Sequence, residues 1–285
     1  MNKSFEFAFD DIAWCPGCGN FSIRKALIAA LDELGLDKTK TVIVSGIGQA
    51  AKMPQYLDVN FFNGLHGRGL PPATAIKAVN PDLTVIAEGG DGDMYGEGGN
   101  HFLHAARRNP DITLLVHDNM IYGLTKGQAA PTTREGMLTP VQVNGVKANP
   151  LNPLAMAISM DVPFVARAFS GNEKQTKELI KEALEFKGFA LIDIFQPCVT
   201  FNKTNTFKWF KDNTYYLDKK YDPEDRVAAF AKSLEEEPFP LGVLYRNTGR
   251  ATFEEGLEVY KKNASPLTER KADLKKLQSI IDSRR

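Results

Sequence analysis

The chain has 285 residues, of which 43% are hydrophobic and 25% are charged, as is typical of a globular protein. Its 35 basic and 35 acidic side chains balance, so the composition argues against a surface for nucleic acid or for an anionic membrane. The N-terminus lacks the apolar core of a signal peptide, there is no apolar run of about 18 residues, and three cysteines are too few for a disulfide scaffold, so we expect a cytoplasmic protein.

Strands and helices alternate through the first 200 residues. Residues 20–36 have helical apolar spacing and end at Gly35, a predicted cap. Buried strands are predicted at residues 41–48, 83–93, 111–119, 164–169 and 190–198, and further helices at 72–79, 98–109 and 173–186. Fully apolar strands that alternate with helices predict an α/β fold, a parallel sheet with helices on both faces.

The alternation weakens after about residue 200, where aromatic and polar residues mix and the last residues are charged and helical in pattern. We therefore predict two parts. Residues 1–200 form the α/β domain and carry an opening Cys-x-x-Cys segment. Residues 201–285 form an extended and helical C-terminal arm at a subunit interface.

The glycine-rich segment EGGDGDMYGEGGN, residues 88–100, does not fit the usual nucleotide-binding patterns. Tyr95 stands where a dinucleotide loop needs its third glycine, and there is no P-loop. Instead, Asp91 lies at the end of one predicted strand and Asn119 lies at the end of the next. Because ligands of parallel sheets bind beyond the carboxyl ends of the strands, these side chains and the backbone carbonyl of Ile121 predict a Mg²⁺ site completed by water and phosphate oxygens. The glycines would let the backbone approach a diphosphate.

The opening motif WCPGCGN holds Cys15 and Cys18, a spacing found in zinc sites, thiol redox sites and iron–sulfur sites. Zinc needs four ligands, yet the earliest histidine in the chain is His66. A thioredoxin-like motif would need no third cysteine, and the chain has one at Cys198. Both observations argue against zinc and against a thioredoxin-like redox site at the opening motif.

Several motifs occur in one order and together resemble a known family. The Gly-Asp-Gly that is followed after a gap by Asn119 resembles the thiamine-diphosphate motif. With WCPGCGNFSI, SGIGQAAKMPQY, NGLHGRGLPPATAIKAVNP, NMIYGLTKGQAAPTT and CVTFNKTNTFKWFK, it makes residues 10–250 similar to the β subunit of 2-oxoacid:ferredoxin oxidoreductases. The resemblance implies the fold of a thiamine-diphosphate-binding domain.

The resemblance also implies an activity and partners. Enzymes of this family convert a 2-oxoacid, coenzyme A and an oxidised acceptor such as ferredoxin into an acyl-CoA, carbon dioxide and the reduced acceptor. The 2-oxoacid could be pyruvate, 2-oxoglutarate, or a branched-chain or aryl compound. An α subunit would supply the pyrimidine-binding domain, in an (αβ)₂ assembly, so we expect this chain to be inactive alone.

The family's site residues are carried over position by position. Asp91, Asn119 and the Ile121 carbonyl would hold Mg²⁺. His66 and Arg68 would lie near the cofactor as catalytic residues, and Lys126 would meet the substrate carboxylate or a coenzyme A phosphate. The residues implied to bind thiamine diphosphate are Gly46, Ile47, Gly48, Gln49, His66, Gly67, Gly90, Asp91, Gly92, Asp93, Asn119, Tyr122, Gly123, Leu124 and Thr125.

In the family, cysteines of the Cys-Pro-x-Cys-Gly and Gln-Pro-Cys stretches bind a [4Fe–4S] cluster, and here these are Cys15, Cys18 and Cys198. Many members have a fourth cysteine where this chain has Gln49. Four thiolates are the usual set. We expect a [4Fe–4S] cluster with a non-cysteine or partner-supplied ligand, while a three-iron cluster and no cluster stay open.

Two other functions stay open. The first is a subunit of a non-oxidative thiamine-diphosphate decarboxylase, which would need neither coenzyme A nor an electron acceptor. The second is a non-catalytic, zinc-binding scaffold subunit. The cysteines argue against the first, and the pairing of Asp91 with Asn119 argues against the second.

Overall fold

The computed structural model describes residues 4–7 and 11–285, and a single eight-stranded sheet organises them. The strands are β1 (Thr41–Ser45), β2 (Asn60–Asn63), β3 (Thr84–Gly90), β4 (Thr113–Asp118), β5 (Phe164–Phe169), β6 (Ala190–Phe195), β7 (Thr214–Tyr216) and β8 (Phe239–Arg246). Their order across the sheet is β2-β1-β3-β4-β6-β5-β8-β7. Neighbouring strands are parallel except β5 and β8, which are antiparallel.

Helices cover both faces of this sheet, which confirms the predicted fold class. The α-helices of the described residues are α1 (Asn20–Glu33), α2 (Leu70–Val79), α3 (Gly99–Arg108), α4 (Pro153–Ser159), α5 (Glu173–Glu185), α6 (Phe207–Asp212), α7 (Arg226–Ser233), α8 (Glu258–Lys261) and α9 (Leu274–Asp282), of which α8 and α9 bury no residue. Within the described chain, no helix combines the length and the apolarity needed to cross a membrane.

The core has two halves because successive residues of a strand point to opposite faces. Leu115 and Ile192 point to the face that α1 and α5 cover, whereas Leu114 and Leu191 point to the face that α3 and α4 cover. All four side chains are fully buried. The central strands are therefore apolar on both sides, as expected for a parallel sheet between two helical layers.

The structure differs from the sequence-based elements at the ends of the strands. The strand predicted at 41–48 ends at Ser45, because the following residues turn away into a 3₁₀ helix at Ala50–Tyr56. The short edge strand β2 was not predicted, and two of its residues, Phe61 and Phe62, remain largely exposed.

The segment after residue 200 joins the sheet. Strand β8 pairs with β5, and β7 pairs with β8. Phe210, from the aromatic stretch assigned to an interface, is fully buried, and its ring stacks on Phe195 with centroids 4.8 Å apart. Part of this segment therefore belongs to the core, while the boundary at 200 and the interface role stay predictions.

We expect the substitution Leu191→Ala to destabilise the chain by about 2–5 kcal/mol, because it leaves a cavity in the centre of β6. Leu277→Ala is the matched control, since that side chain on α9 is 49% exposed and should change stability by less than about 0.5 kcal/mol. The free energy of unfolding from urea titrations measures both. Equal losses for the two variants would contradict this packing.

Candidate cofactor site at the carboxyl edge of the sheet

The carboxyl ends of β1, β3 and β4 meet at a cleft that is open to solvent on one side. Its lining residues are Ile47, Gly48, Gln49, Ala50, His66, Gly90, Asp91, Gly92, Asp93, Glu97, Asn119, Ile121, Tyr122, Gly123, Leu124 and Thr125. The three strands lie side by side in parallel, so the segments that follow them emerge at the same edge.

The cleft brings together most of the predicted cofactor residues. Gly46 and Gly67 lie behind its wall, against Asp93. Arg68 lines a neighbouring groove with Phe62 and other residues instead. Lys126 is exposed and does not line the cleft either. The structure therefore does not bring Arg68 and Lys126 to the cleft, and their roles stay predictions.

Asp93 is held tightly by glycines. The backbone N–H of Gly67 donates to Asp93 Oδ1 at 2.7 Å. A Cβ on Gly46 would lie 2.1 Å from Asp93 Oδ2, and one on Gly67, whose φ is +66°, would lie 2.3 Å from the backbone of Glu97. Only glycine fits at either position. Asp93 Oδ2 is buried without an aligned donor among the described residues, and burial raises the pKa of Asp93 to about 6.

A pair of buried carboxyl groups, those of Asp91 and Asp118, lies at the ends of β3 and β4. Thr132 Oγ1 lies 2.6 Å from Asp91 Oδ2 and 2.8 Å from Asp118 Oδ1. Because a hydroxyl has one proton, Thr132 donates to one carboxylate at a time, and the other contact requires a protonated carboxyl. Burial raises the pKa of Asp91 to about 7 and that of Asp118 well above its ordinary range, which supplies that proton.

A cationic group lies under this pair. Arg167 Nε is 3.1 Å from Asp193 Oδ2, and the hydroxyl of Tyr95 donates to Asp193 Oδ1 at 3.1 Å. The Arg167 guanidinium also lies over the Phe195 ring, 4.6 Å from its centroid. Burial raises the pKa of Asp193 and Arg167 opposes the rise. The floor of the site thus has more carboxyl groups than nearby cations.

The turn after β4 presents neutral oxygen atoms. The N–H of Ile121 donates to Asn119 Oδ1 at 3.0 Å, and Met120 between them has a φ of +56°. The side chain of Asn202 donates to the Asn119 carbonyl oxygen, and the Thr133 hydroxyl donates to that of Met120. No hydrogen bond to the Ile121 carbonyl oxygen is found among the described residues. These oxygens, together with the Asp91 carboxylate, are the ligand type that Mg²⁺ prefers, so the donor set fits.

Three contributors to this site were missed by the sequence-based reasoning. Glu97 lines the cleft, and its Oε2 lies 2.7 Å from His66 Nδ1. Asp118 directly precedes Asn119 at the end of β4, so its position could have been noticed. Thr132 lies in a loop far along the chain from Asp91, and nothing in its sequence context indicates the contact.

The cysteines lie beside the cleft. The indole N–H of Trp14, next to Cys15, donates to the Gln49 carbonyl oxygen at 2.8 Å. Cys198 Sγ lies 3.5 Å from where a Cβ on Gly123 would be. Burial raises the pKa of Cys18 to about 11, and the thiols of Cys198 and Cys15 add to the rise.

The three thiols do not converge on one metal-ion position. Among the described residues there is no group of three His, Cys, Asp or Glu side chains that could hold a single ion. An iron–sulfur cluster binds each cysteine at a different iron atom, and which group these thiols hold stays a prediction.

Two family models match the chain. The model described as thiamine pyrophosphate enzyme, C-terminal TPP binding domain, matches residues 41–194, which run from the start of β1 almost to the end of β6. The C-terminal model of the pyruvate ferredoxin oxidoreductase beta subunit matches residues 198–262. The first model defines the chain as a thiamine pyrophosphate-binding protein by class.

Individual relatives narrow that class. The 2-oxoacid:ferredoxin oxidoreductase 1, subunit beta, of Aeropyrum pernix is 46% identical over 257 residues, covering 86% of this chain and 80% of the relative. The 2-oxoglutarate synthase subunit KorB of Archaeoglobus fulgidus is 37% identical over 231 residues, covering 79% of this chain and 86% of the relative. This chain belongs to the β subunits of the 2-oxoacid:ferredoxin oxidoreductases.

A solved structure agrees with this assignment. The 2-oxoglutarate:ferredoxin oxidoreductase from Magnetococcus marinus, with 2-oxoglutarate, coenzyme A and succinyl-CoA bound, matches with a TM-score of 0.90 and 37% identity. The match covers 96% of this chain and 93% of that chain, so the arm segment and the α/β domain are both included.

We expect Asp93→Asn to remove a pH dependence of stability. The folded chain keeps a proton on Asp93 up to about pH 6, whereas the unfolded chain releases it near pH 4, so this group lowers the free energy of unfolding as pH rises through that window. With about 1.4 kcal/mol per pKa unit, the variant should gain about 3 kcal/mol relative to the parent between pH 4 and pH 7.

Urea unfolding of both chains in EDTA at several pH values measures this difference. A constant difference across the range would contradict the raised pKa.

Proposed function

We propose that this chain is the thiamine-diphosphate-binding subunit of an enzyme that oxidatively decarboxylates a 2-oxoacid to an acyl-CoA and passes the electrons to ferredoxin or a similar acceptor. The observation that carries the proposal is the glycine-lined cleft, which Asp91, Asp93, Asn119 and Ile121 line together. Such a set suits a divalent cation that bridges to a diphosphate.

The chain's own residues would bind and orient the cofactor. Asp91, Asn119 and the Ile121 carbonyl would hold Mg²⁺, and the backbone around Gly90 and Gly92 would approach the diphosphate. Thiamine diphosphate, when bound, supplies the carbon nucleophile and the electron sink for cleaving the bond between the carboxylate and keto carbons. The positive charge of the bound metal ion would offset the negative charge that Asp91 gains when it loses its proton on metal binding.

An α subunit is the proposed partner. The cleft is open to solvent, with Leu124 41% exposed at its rim and Thr125 exposed beside it. Thiamine chemistry requires a dry site, so a second surface must close over the cofactor. We propose that an α subunit with the pyrimidine-binding domain provides that surface in an (αβ)₂ assembly. His66, whose Nδ1 lies against Glu97, faces the same opening and is the strongest candidate for contacting the substrate.

The cysteines are the proposed electron outlet. Cys15, Cys18 and Cys198 would hold a [4Fe–4S] cluster next to the cleft, where a short path to the cofactor exists through Gly123 and Gln49. The fourth ligand would come from a non-cysteine group or from the partner. The three cysteines are free thiols, which fits the reducing cytoplasm as the location.

The substrate class is a 2-oxoacid with coenzyme A as acyl acceptor. Relatives are named both for 2-oxoacids in general and for 2-oxoglutarate, and the similar solved structure contains 2-oxoglutarate and coenzyme A. We therefore propose 2-oxoglutarate as the first substrate to assay, with pyruvate and a branched-chain 2-oxoacid beside it.

We expect Asp91→Ala to weaken Mg²⁺-dependent binding of thiamine diphosphate to the assembled complex by at least about 100-fold, because it removes the only charged ligand of the set. Calorimetric titration of the complex with the cofactor measures this. Asp282→Ala, at the exposed end of α9, is the control and should bind normally. Equal affinity in the two variants would refute the proposed metal site.

We expect the anaerobically purified complex to contain about four iron and four sulfide atoms for this chain, after correction for clusters on partner subunits. It should also show an electron paramagnetic resonance signal on reduction with dithionite. A signal only in the oxidised state would indicate three iron atoms. Product formation without iron, coenzyme A or an acceptor would support the non-oxidative decarboxylase, and zinc without thiamine diphosphate would support the scaffold.

A further inference from the structure

Gln196 is a buried polar residue at the end of β6 that the proposed chemistry has not yet used. It is 2% exposed, and its backbone N–H donates to the Asp118 carbonyl oxygen at 2.8 Å. Its side-chain amide nitrogen, Nε2, lies 3.2 Å from Cys18 Sγ and 3.1 Å from the Pro197 carbonyl oxygen. A primary amide has two N–H groups, so it donates to both.

The packing around Gln196 fixes this geometry. A Cβ on Gly19 would lie 2.7 Å from Gln196 Cγ and 2.9 Å from Ser170 Oγ, so the absence of a side chain at Gly19 admits the amide beside the cysteine segment. Ser170 is 1% exposed and lies close to the same position beside Gly19. The amide is therefore held against the sulfur by its surroundings and does not depend on a flexible surface contact.

The contact matters because the Cys18 sulfur is partly buried, which removes part of its hydration. The Gln196 amide nitrogen lies 3.2 Å from this sulfur. A thiolate that binds iron carries negative charge in a half-buried place. An N–H group directed at it is worth more there than at the surface.

We propose that Gln196 is a positioning residue that orients Cys18 and raises the reduction potential of the cluster through its N–H group. The proposal rests on the proposed iron–sulfur function of the cysteines. Reduction adds one electron to the cluster and increases the negative charge on its sulfurs, so a hydrogen bond to a sulfur stabilises the reduced state more than the oxidised state. Removing the donor therefore makes the cluster harder to reduce.

The first test measures the reduction potential of the cluster in the assembled complex by dithionite titration with electron paramagnetic resonance. Gln196→Leu removes the donor without adding charge, and Gln196→Glu keeps the shape of the side chain. We expect both to have a lower potential than the parent. Ser170→Ala is the matched control, because it removes a buried polar atom from the same pocket without contacting sulfur, and its potential should equal that of the parent.

The second test needs no cluster. The full chain is prepared without iron, and alkylation of Cys18 by iodoacetamide at pH 9 is followed by fragmentation mass spectrometry. We expect Gln196→Leu to slow Cys18 alkylation severalfold, since the thiolate loses a donor, while Cys15 in the same chain reacts as before. Ser170→Ala should leave both rates unchanged.

The outcomes distinguish a failure of the proposed role of Gln196 from a failure of the proposed iron–sulfur cluster. A complex that binds no iron refutes the proposed cluster, whereas slower alkylation in Gln196→Leu would still support the hydrogen bond. A cluster whose potential is the same in the parent, both Gln196 variants and Ser170→Ala overturns the inference and leaves the proposed function intact. If Gln196→Leu does not fold, Gln196→Met, which also removes the donor without adding charge, replaces it in both tests.

Discussion

Carboxyl groups buried with too few cations are the constraint on which this site depends. Asp91, Asp93 and Asp118 are each no more than 3% exposed, and burial raises the pKa of all three. Thr132 and the Gly67 N–H give them hydrogen bonds but no positive charge. Such an arrangement costs stability, and a divalent cation bound at the proposed site would offset that cost.

The fold serves this arrangement by bringing the ends of strands together. Strands β3 and β4 are direct neighbours, so the segments that begin at Asp91 and Asn119 start side by side although they are distant in the chain. The apolar layers on both faces fix the strands in register, and the polar groups are confined to the edge. The residues that stabilise the sheet therefore lie in its centre, and the residues of the candidate site lie at its carboxyl edge.

Much of this could be predicted from the sequence because the decisive signals are local. An apolar strand followed by Gly-Asp-Gly, and another followed by Asn119, indicate one sheet edge and one oxygen-rich site. Strand β8 was missed because Pro240 and Gly242 interrupt its pattern, and β2 was missed because its four residues are exposed.

The contacts of Thr132 and Gly67 could not be predicted, since each depends on how a distant loop returns to the strand ends. Local sequence patterns do not indicate where a loop will pack after it leaves the sheet. The same limit applies to Gln196, whose amide meets Cys18 only because the opening segment folds back across the end of β6.

The hydrogen bond from Trp14 to the Gln49 carbonyl has a spectroscopic consequence. The chain has two tryptophans, and Trp14 lies between the cysteine segment and the wall of the cleft, packed edge-on against Phe21 and Tyr56. With Trp209 replaced by phenylalanine, the emission of one indole would respond to iron on one side, which quenches it, and to cofactor on the other. Under the proposed function, Trp14 would therefore report which of the two proposed sites is filled.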